Sequence, residues 1–305
     1  MSIIAGLFPG QGSQQVGMGH AFFNNSEAAR ELFERANKAL GLSLSELCFQ
    51  GPIEKLTLTE FAQPALLTAS YIAYCESTIE ISAAAGHSLG EYTALLVAGC
   101  IDFENAVQLV NKRGKYMQEA VPSGEGKMIA VLGPSEEEIN TNISKVEDGV
   151  AEIANLNSPG QTVIAGDLRG INTVSELMRE TGAKVIPLNV SAPFHCRLMK
   201  SAEEQLTKDL DAITFNDPSI VVYSNVKAQG IKNGIEAREL LKKQVCSSVR
   251  WSDQMKNMIT EQQITHTVEF GAGGVLSKLL KRIDKTPQRL EVFDPESLQK
   301  AKQAL

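Results

Sequence analysis

The sequence predicts a mixed α/β fold in which a large subdomain with a mainly parallel sheet carries a smaller, inserted subdomain. Short apolar runs alternate with amphipathic helical patterns over residues 1–123, and this alternation is typical of parallel strands covered by helices. Over residues 124–190 the order becomes β-α-β-β-α-β, the split pattern of ferredoxin-like folds. A chain of 305 residues is long enough to give both parts a core.

The large subdomain is predicted to begin with a buried strand at Ile3–Phe8, which runs into the glycine-rich turn PGQGSQ. A second run of small and apolar residues, Ile79–Ala85, is typical of another strand and ends just before Gly86. Apolar residues at three- and four-residue steps predict helices in four segments: SEAARELFERANKAL, PALLTASYIAYCESTIE, EYTALLVAGC and Phe103–Val121. We therefore expect helices to cover this sheet.

The inserted subdomain is predicted from six short patterns. Strands are expected at Lys127–Leu132, Val150–Asn155, Thr162–Ala165 and Lys184–Val190, and helices at Ser135–Val146 and Ile171–Thr181. The turn formers in NLNSPGQ predict a loop between the two middle strands. We assign residues 1–123 and 191–305 to the large subdomain and residues 124–190 to the small one. The chain is expected to finish with FGAGGVLSKLLKR and a polar C-terminal tail.

Composition excludes several classes of function. The net charge of −7 gives no general attraction to nucleic acid or anionic membranes, and no apolar run approaches the length of a membrane span. The five cysteines are scattered, without the spacing of a metal site, and the first residues lack the basic start and long apolar region of a signal peptide. We expect a cytoplasmic protein without a metal site.

The segment GHSLGEY fits the pattern G-x-S-x-G, with Ser88 between Gly86 and Gly90. It follows a predicted strand and opens a predicted helix, which is the setting of a nucleophile elbow in an α/β-hydrolase-like subdomain. The two glycines let the backbone turn sharply, so that the serine hydroxyl can project into a cleft. The N–H of Leu89 then lies at a helix N-terminus, where it can stabilise an oxyanion. The alternative is an ordinary strand-to-helix turn that contains a serine.

A serine nucleophile needs a base within hydrogen-bonding distance, and the chain has four histidines. His87 is next to the serine, but consecutive residues at an elbow point in different directions. His20 and His266 lie in polar stretches and are expected at the surface or in structural roles. His195, in NVSAPFHCRLM, lies where the small subdomain returns to the large one, and a junction of this kind faces a cleft. It is either the base or a structural histidine.

No acidic residue stands out as the third member of a catalytic triad. Glu136–Glu138 and Asp148 lie between Ser88 and His195 in the chain but look like exposed charges, so the histidine should be oriented by something other than a carboxylate. The turn Phe8–Gln14 lacks the G-K-[ST] ending of a phosphate-binding loop. It is either a structural turn or a loop that supplies a second N–H to an oxyanion hole.

Seven segments spread along the chain match one family. They are FPGQGSQQVGMG, QPALLTAS, GHSLGEY, VNKRGKYMQEAVP, NLNSPGQTVIAG, VSAPFHCRLM and SSVRW. In this order they resemble the malonyl-CoA:acyl carrier protein transacylases of fatty acid synthesis and the equivalent discrete acyltransferases of polyketide pathways. Two places depart from the family pattern: SSVRW lacks the proline of N-P-V-x-W, and in FGAGGVL Ala272 and Gly274 replace what are often a proline and a lysine.

The resemblance implies a ping-pong acyltransferase. Ser88 would take the malonyl group from malonyl-CoA and pass it to the phosphopantetheine thiol of an acyl carrier protein. His195 would act as general base, with its ring oriented by the main-chain carbonyl of Gln244. The N–H groups of Gln11 and Leu89 would form the oxyanion hole. The resemblance also implies a monomer that needs no metal or other cofactor.

The acyl pocket is implied in the same way. Arg113 would pair with the free carboxylate of the malonyl group, although the residues alone favour a solvated helix arginine beside Lys112 and Lys115. Gln63 matches a glutamine of the pocket, with a purely structural role as the alternative. Phe194, just before the proposed base, would crowd an α-methyl group and so disfavour methylmalonyl-CoA.

Two functions of other classes compete with the transferase. An acyl hydrolase on the same scaffold would release acyl groups to water, and an inactive module would bind the carrier without chemistry. A hydrolase of neutral acyl chains has no use for a buried cation at Arg113. An inactive module has no need of both Ser88 and His195.

Overall fold

The computed structural model describes residues 2–122, 124–190 and 192–305, so the predicted subdomain bounds at residues 123 and 191 lie outside the described residues. The described strands are β1 Ile4–Phe8, β2 Ala83–Gly86, β3 Gly126–Leu132, β4 Ala151–Ser158, β5 Gln161–Asp167, β6 Lys184–Pro187, β7 Val221–Tyr223, β8 His266–Phe270 and β9 Gln288–Val292.

The helices surround these strands. They are α1 His20–Asn25, α2 Glu27–Leu40, α3 Leu44–Gln50, α4 Ile53–Thr57, α5 Thr59–Ser77, α6 Leu89–Val97, α7 Phe103–Glu119, α8 Glu136–Ile143, α9 Leu168–Glu180, α10 Lys200–Asp211, α11 Gly234–Gln244, α12 Trp251–Gln262, α13 Val275–Ile283 and α14 Pro295–Ala304, with a short 3₁₀ helix at Arg197–Met199.

The larger sheet has five parallel strands in the order β7-β2-β1-β8-β9. At the carboxyl ends of the neighbouring strands β1 and β2, Phe8 lies opposite Gly86. Because the carboxyl ends of parallel strands share one edge of a sheet, the turn after β1 and the elbow after β2 are neighbours. The prediction of a mainly parallel sheet in a mixed α/β fold is confirmed.

Helices cover both faces of this sheet, since successive strand residues point to opposite sides. Phe8 and Phe270 stack at 5.7 Å on one face, in the core that includes side chains of α2, α5, α6 and α7. Leu7 and Ala85 point to the other face and pack in a second core with Trp251 of α12 and side chains of α13. The sheet is therefore the middle of three layers.

The smaller sheet is antiparallel, in the order β4-β5-β3-β6. With α8 after β3 and α9 after β5, it has the predicted ferredoxin-like order. Ile139 of α8 and Val174 of α9 cover one face, whereas Met128 and Val163 on the other face join the main core of the large subdomain. The exact subdomain boundaries stay a prediction.

Helix α5 begins earlier than the sequence predicted. The predicted segment starts at Pro64, a residue that lacks a backbone N–H and usually lies in the first turn of a helix. The helix begins at Thr59, five residues before it. The carbonyl of Glu60, which loses its usual partner to the proline, accepts a hydrogen bond of 2.8 Å from the side-chain amide of Asn111 instead.

The loop predicted over NLNSPGQ is mostly wrong. β4 continues to Ser158 and β5 begins at Gln161, so only Pro159 and Gly160 form the turn. Gly160 has φ +69°, which favours glycine in a tight hairpin. The asparagines of this segment are strand residues, and two of them, Asn155 and Asn157, line the cavity described below.

The prediction of a polar C-terminal tail is also wrong. After Arg282 the chain forms β9, which pairs with β8, and then α14. Val292 and Ala301 are buried there, and Asp294 caps the N-terminus of α14 just before Pro295. Strand pairing and these buried apolar residues hold the mostly polar segment on the edge of the sheet.

Candidate active site

Ser88 lies at a strained turn between β2 and α6, with φ +53° and ψ −107°. A non-glycine residue keeps such a conformation only when its surroundings enforce it. A Cβ on Gly86 would overlap the backbone of Gly90, and a Cβ on Gly90 would overlap the carbonyl of Phe8, so both positions require glycine. Asn225 fixes the turn: its side chain accepts from the N–H of Ser88 and donates to the carbonyl of Gly86, both at 2.7 Å.

His195 meets the serine from the segment that leaves the small subdomain. Its Nε2 lies 2.7 Å from the hydroxyl oxygen of Ser88. Its Nδ1 lies 2.9 Å from the main-chain carbonyl of Gln244 and 3.2 Å from that of Ser247. Since both neighbours of Nδ1 are acceptors, Nδ1 carries the proton and Nε2 presents its lone pair to the serine.

The imidazole is held in its neutral form. Burial, and then the positive charge of Arg113, lower the pKa of His195 to about 3, while the hydrogen bond to the carbonyl of Gln244 acts in the opposite direction. A neutral imidazole can accept the proton of Ser88 without first losing one of its own. Two carbonyls orient the ring where a triad would place a carboxylate.

Arg113 projects from α7 into the same site and is 1% exposed, so it is no solvated helix arginine. Its guanidinium donates to Oε1 of Gln63 at 2.8 Å, to Oε1 of Gln244 at 3.0 Å and to the hydroxyl of Ser88 at 3.2 Å. The ring of Tyr92 lies 5.2 Å from the guanidinium carbon.

This buried cation has only neutral direct partners. In the described part of the chain no carboxylate lies within ion-pair distance of Arg113. Burial lowers the pKa of the guanidinium, yet an arginine remains charged in proteins. A positive charge beside a nucleophile, without a paired anion, suits a substrate that brings its own carboxylate.

The remaining predicted site residues line one cavity of about 280 Å³, which Ser88, His195 and Arg113 also line. Gln11, from the turn after β1, and Leu89, the first residue of α6, both line it. The N–H of Leu89 has no acceptor within the helix, because the first four N–H groups of a helix lack one. Gln63 and Phe194 line the cavity too and are both buried. The oxyanion-hole role of Gln11 and Leu89 stays a prediction.

The other three histidines make no hydrogen bond to Ser88, although His87 lines the same cavity. The ring of His87 is held elsewhere: its Nε2 is 2.8 Å from Oδ1 of Asn157, and its centre lies 5.6 Å from that of Trp251. His20 stacks on Phe49 at 4.6 Å, and His266 is the first residue of β8.

Two residues of the site escaped the sequence analysis. Asn225 follows β7 by two residues, and its role depends on β7 lying beside β2, which the sequence does not disclose. Glu91 is fully buried one helical turn after Ser88, and burial raises its pKa to about 7. The motif GHSLGEY contains this glutamate, but nothing in the sequence indicates that its carboxyl group is buried.

Within residues 2–122, 124–190 and 192–305, no group of three or more histidine, cysteine, aspartate or glutamate side chains is placed to hold a metal ion. In that same part of the chain, no helix has both the length and the apolar character needed to span a membrane. Glu136–Glu138 and Asp148 are exposed, as expected.

Comparison with known proteins agrees with this geometry. The pattern of the acyl transferase domain family matches residues 7–282. The malonyl CoA-acyl carrier protein transacylase of Bacillus subtilis (strain 168) is 46% identical over 100% of this chain and 98% of its own, and that of Escherichia coli (strain K12) is 42% identical over 98% of both.

Solved structures give the same relationship. The malonyl CoA-acyl carrier protein transacylase of Coxiella burnetii superposes with a TM-score of 0.95 at 39% identity, covering 100% of this chain and 98% of that one. A malonyl-transacylase in complex with a type II polyketide acyl carrier protein superposes with a TM-score of 0.95 at 39% identity over 100% of both chains. The chain therefore belongs to the acyl transferase domain family and is an acyltransferase.

Proposed function

We propose that this protein transfers a malonyl group from malonyl-CoA to the phosphopantetheine thiol of an acyl carrier protein, and so supplies extender units for fatty acid or polyketide synthesis. The observation that carries the proposal is the buried, carboxylate-free guanidinium of Arg113, which donates to the nucleophilic hydroxyl of Ser88. A malonyl group bound as a thioester has one free carboxylate, and two parallel N–H donors match its geometry.

The first half-reaction acylates the enzyme. The hydroxyl oxygen of Ser88 attacks the thioester carbonyl of malonyl-CoA while its proton passes to Nε2 of His195, which lies 2.7 Å away. The N–H groups of Gln11 and Leu89 stabilise the oxyanion. The carbon–sulfur bond then breaks, and the imidazolium returns the proton to the CoA thiolate.

The second half-reaction runs the same steps in reverse with another thiol. The pantetheine thiol of the carrier gives its proton to His195 and attacks the malonyl ester carbonyl. The ester bond breaks, the proton returns to Ser88, and malonyl-carrier leaves. Serine and imidazole supply the nucleophile and the base, so we propose that the reaction uses no cofactor beyond its substrates. The monomeric state and the cytoplasmic location implied by the resemblance stay predictions.

Mass spectrometry of the carrier tests the function. Malonyl-CoA and a holo acyl carrier protein are mixed with wild-type enzyme or with Ser88→Ala, which removes the hydroxyl at the elbow. We expect the carrier to gain the mass of one malonyl group with wild type alone. Free malonate with an unmodified carrier would favour the hydrolase, and an unmodified carrier with intact malonyl-CoA would favour the inactive module.

A further inference from the structure

Glu91 is a buried acid for which the proposed reaction has no direct use. It lies on α6 with no exposed surface, three residues after the nucleophile. One carboxyl oxygen, Oε2, accepts hydrogen bonds from Nε2 of Gln244 at 2.6 Å and from the backbone N–H of Asn225 at 3.2 Å. No lysine or arginine forms an ion pair with it in the described residues.

Its main partner, Gln244, hydrogen-bonds to three predicted site residues, Ser88, Arg113 and His195. The side-chain NH₂ donates to Glu91 and, at 3.0 Å, to the main-chain carbonyl of Ser88. The side-chain oxygen accepts from Arg113 at 3.0 Å, and the main-chain carbonyl lies 2.9 Å from Nδ1 of His195.

The orientation of this amide matters because its two ends are different groups of nearly the same shape. Rotated by 180°, the NH₂ of Gln244 would face the guanidinium of Arg113, donor against donor, and its oxygen would face the carboxyl group of Glu91, acceptor against acceptor. Oε2 of Glu91 also faces the backbone N–H of Asn225, and this donor keeps an acceptor at that position whether residue 91 carries a carboxylate or an amide, so the rotated arrangement is excluded.

We propose that Glu91 is a positioning residue: by accepting a hydrogen bond from Gln244, it keeps the amide oxygen of Gln244 on Arg113 and so holds the guanidinium where a malonyl carboxylate can pair with it. This rests on the proposed function. Glu91 lies outside the residues that line the cavity, and its proposed effect on Arg113 reaches the pocket through Gln244. The quantity that it controls is the preference for malonyl-CoA over acetyl-CoA, which has no carboxylate for Arg113.

Two conservative substitutions separate the effect of side-chain length at position 91 from the effect of its charge. Glu91→Gln keeps an oxygen at the same distance from Gln244 and removes the charge. Glu91→Asp keeps the charge and withdraws the oxygen by about 1.5 Å, the length of one carbon–carbon bond. Acyl-enzyme formation from malonyl-CoA and from acetyl-CoA is measured at pH 8 for both variants, and kcat/KM is compared as a ratio.

We expect Glu91→Asp to lower the malonyl-to-acetyl ratio about tenfold, mainly through KM for malonyl-CoA, the size of one lost hydrogen bond to a charged group. Glu91→Gln should hold the ratio within about threefold of wild type. The matched control is Glu269→Asp, at another buried glutamate, which accepts from the N–H groups of Leu276 and Ser277. It should leave the ratio unchanged.

Three results would overturn the proposal: an unchanged ratio in Glu91→Asp, an equal loss of the ratio in Glu91→Gln, or the same loss in Glu269→Asp. The first result would mean that Glu91 has only a structural role. The second would mean that selectivity depends on the charge of Glu91 and not on its hydrogen bond to Gln244. The third would mean that shortening any buried glutamate lowers selectivity. Malonyl transfer by the wild type, measured alongside, reports separately on the proposed function.

Discussion

Replacing His195 with alanine should slow formation of the malonyl-enzyme by a factor on the order of 10² to 10⁴, the usual effect of losing a positioned general base. The imidazole lies 2.7 Å from the hydroxyl of Ser88, and the other described histidine nearby, His87, is held by Asn157 instead. Rapid-quench measurement of the adduct checks this, with His87→Ala as the comparison. A normal rate in His195→Ala together with a large loss in His87→Ala would mean that the base is misassigned.

The rate of acylation should also stay nearly constant between pH 8 and pH 5.5. Because burial and Arg113 hold the pKa of His195 near 3, the base remains neutral throughout this range. A histidine with an ordinary pKa of about 6.5 would lose roughly 90% of its neutral form at pH 5.5. Single-turnover rates at saturating malonyl-CoA test this, and a tenfold fall with a midpoint near 6.5 would contradict it.

At the scale of residues, the sequence predicted those functional residues whose side chains are reactive in themselves, such as serine and histidine. Ser88 stood out as a candidate nucleophile and His195 as one candidate for its base, and the structure brings the two side chains together. Asn225 and Glu91 did not stand out, because an asparagine after a strand and a glutamate in a helix are ordinary until tertiary structure buries them. Arg113 was ambiguous for the same reason, since its burial is a property of the packed helix.

At the scale of elements, the strand, turn and helix around Ser88 depend on Asn225. Asn225→Ala would leave the N–H of Ser88 and the carbonyl of Gly86 without their side-chain partner. Unpaired buried groups of this kind cost about 1–3 kcal/mol each in the free energy of unfolding. We expect a loss of that size in urea unfolding, together with slower acylation. Unchanged stability and rate would show that the elbow holds its conformation without Asn225.

Elements with a strong apolar pattern were predicted well, and elements that depend on distant partners were not. β1 and α7 are close to their predicted bounds because their own residues supply the pattern. α5 passes through Pro64 because Asn111, far away in the chain, satisfies the freed carbonyl of Glu60. β9 gains its stability from pairing with β8, which no local pattern discloses.

At the scale of the whole molecule, the two subdomains meet beside His195. Val249 donates to the carbonyl of Ala154 at 2.8 Å and accepts from the N–H of Leu156 at 2.9 Å, so β4 of the small sheet is joined to the segment just after Gln244. Ser248, which stands where relatives of the predicted family have proline, donates to the carbonyl of Ile153. The departure in SSVRW therefore leaves this junction paired.

The buried carboxyl group of Glu91 should make the stability of the molecule depend on pH. Burial raises its pKa from 4.5 to about 7 in the folded state, so its contribution to stability is complete below pH 4.5 and is lost as the pH rises through 7. The loss approaches about 3 kcal/mol for a shift of this size. Glu91→Gln cannot ionise, so the free energy of unfolding of the variant should rise relative to wild type between pH 5 and pH 8.

Urea unfolding of both proteins at several pH values measures this difference. The lowered pKa values of His87 and His195 contribute equally to both proteins and cancel. A difference between Glu91→Gln and wild type that is independent of pH would mean that Glu91 titrates near its ordinary value.

The central claim is that a buried arginine selects a dicarboxylic acyl group for transfer through Ser88, and kcat/KM for malonyl-CoA and acetyl-CoA in wild type and Arg113→Ala tests it most directly. Charge-assisted hydrogen bonds contribute about 1.5–3 kcal/mol, so Arg113→Ala should lower malonyl transfer by roughly 10- to 150-fold. Acetyl-CoA leaves the guanidinium buried and unpaired in the wild type, so its transfer should be spared or increased. Equal proportional losses for the two substrates would make Arg113 a structural residue and contradict the account.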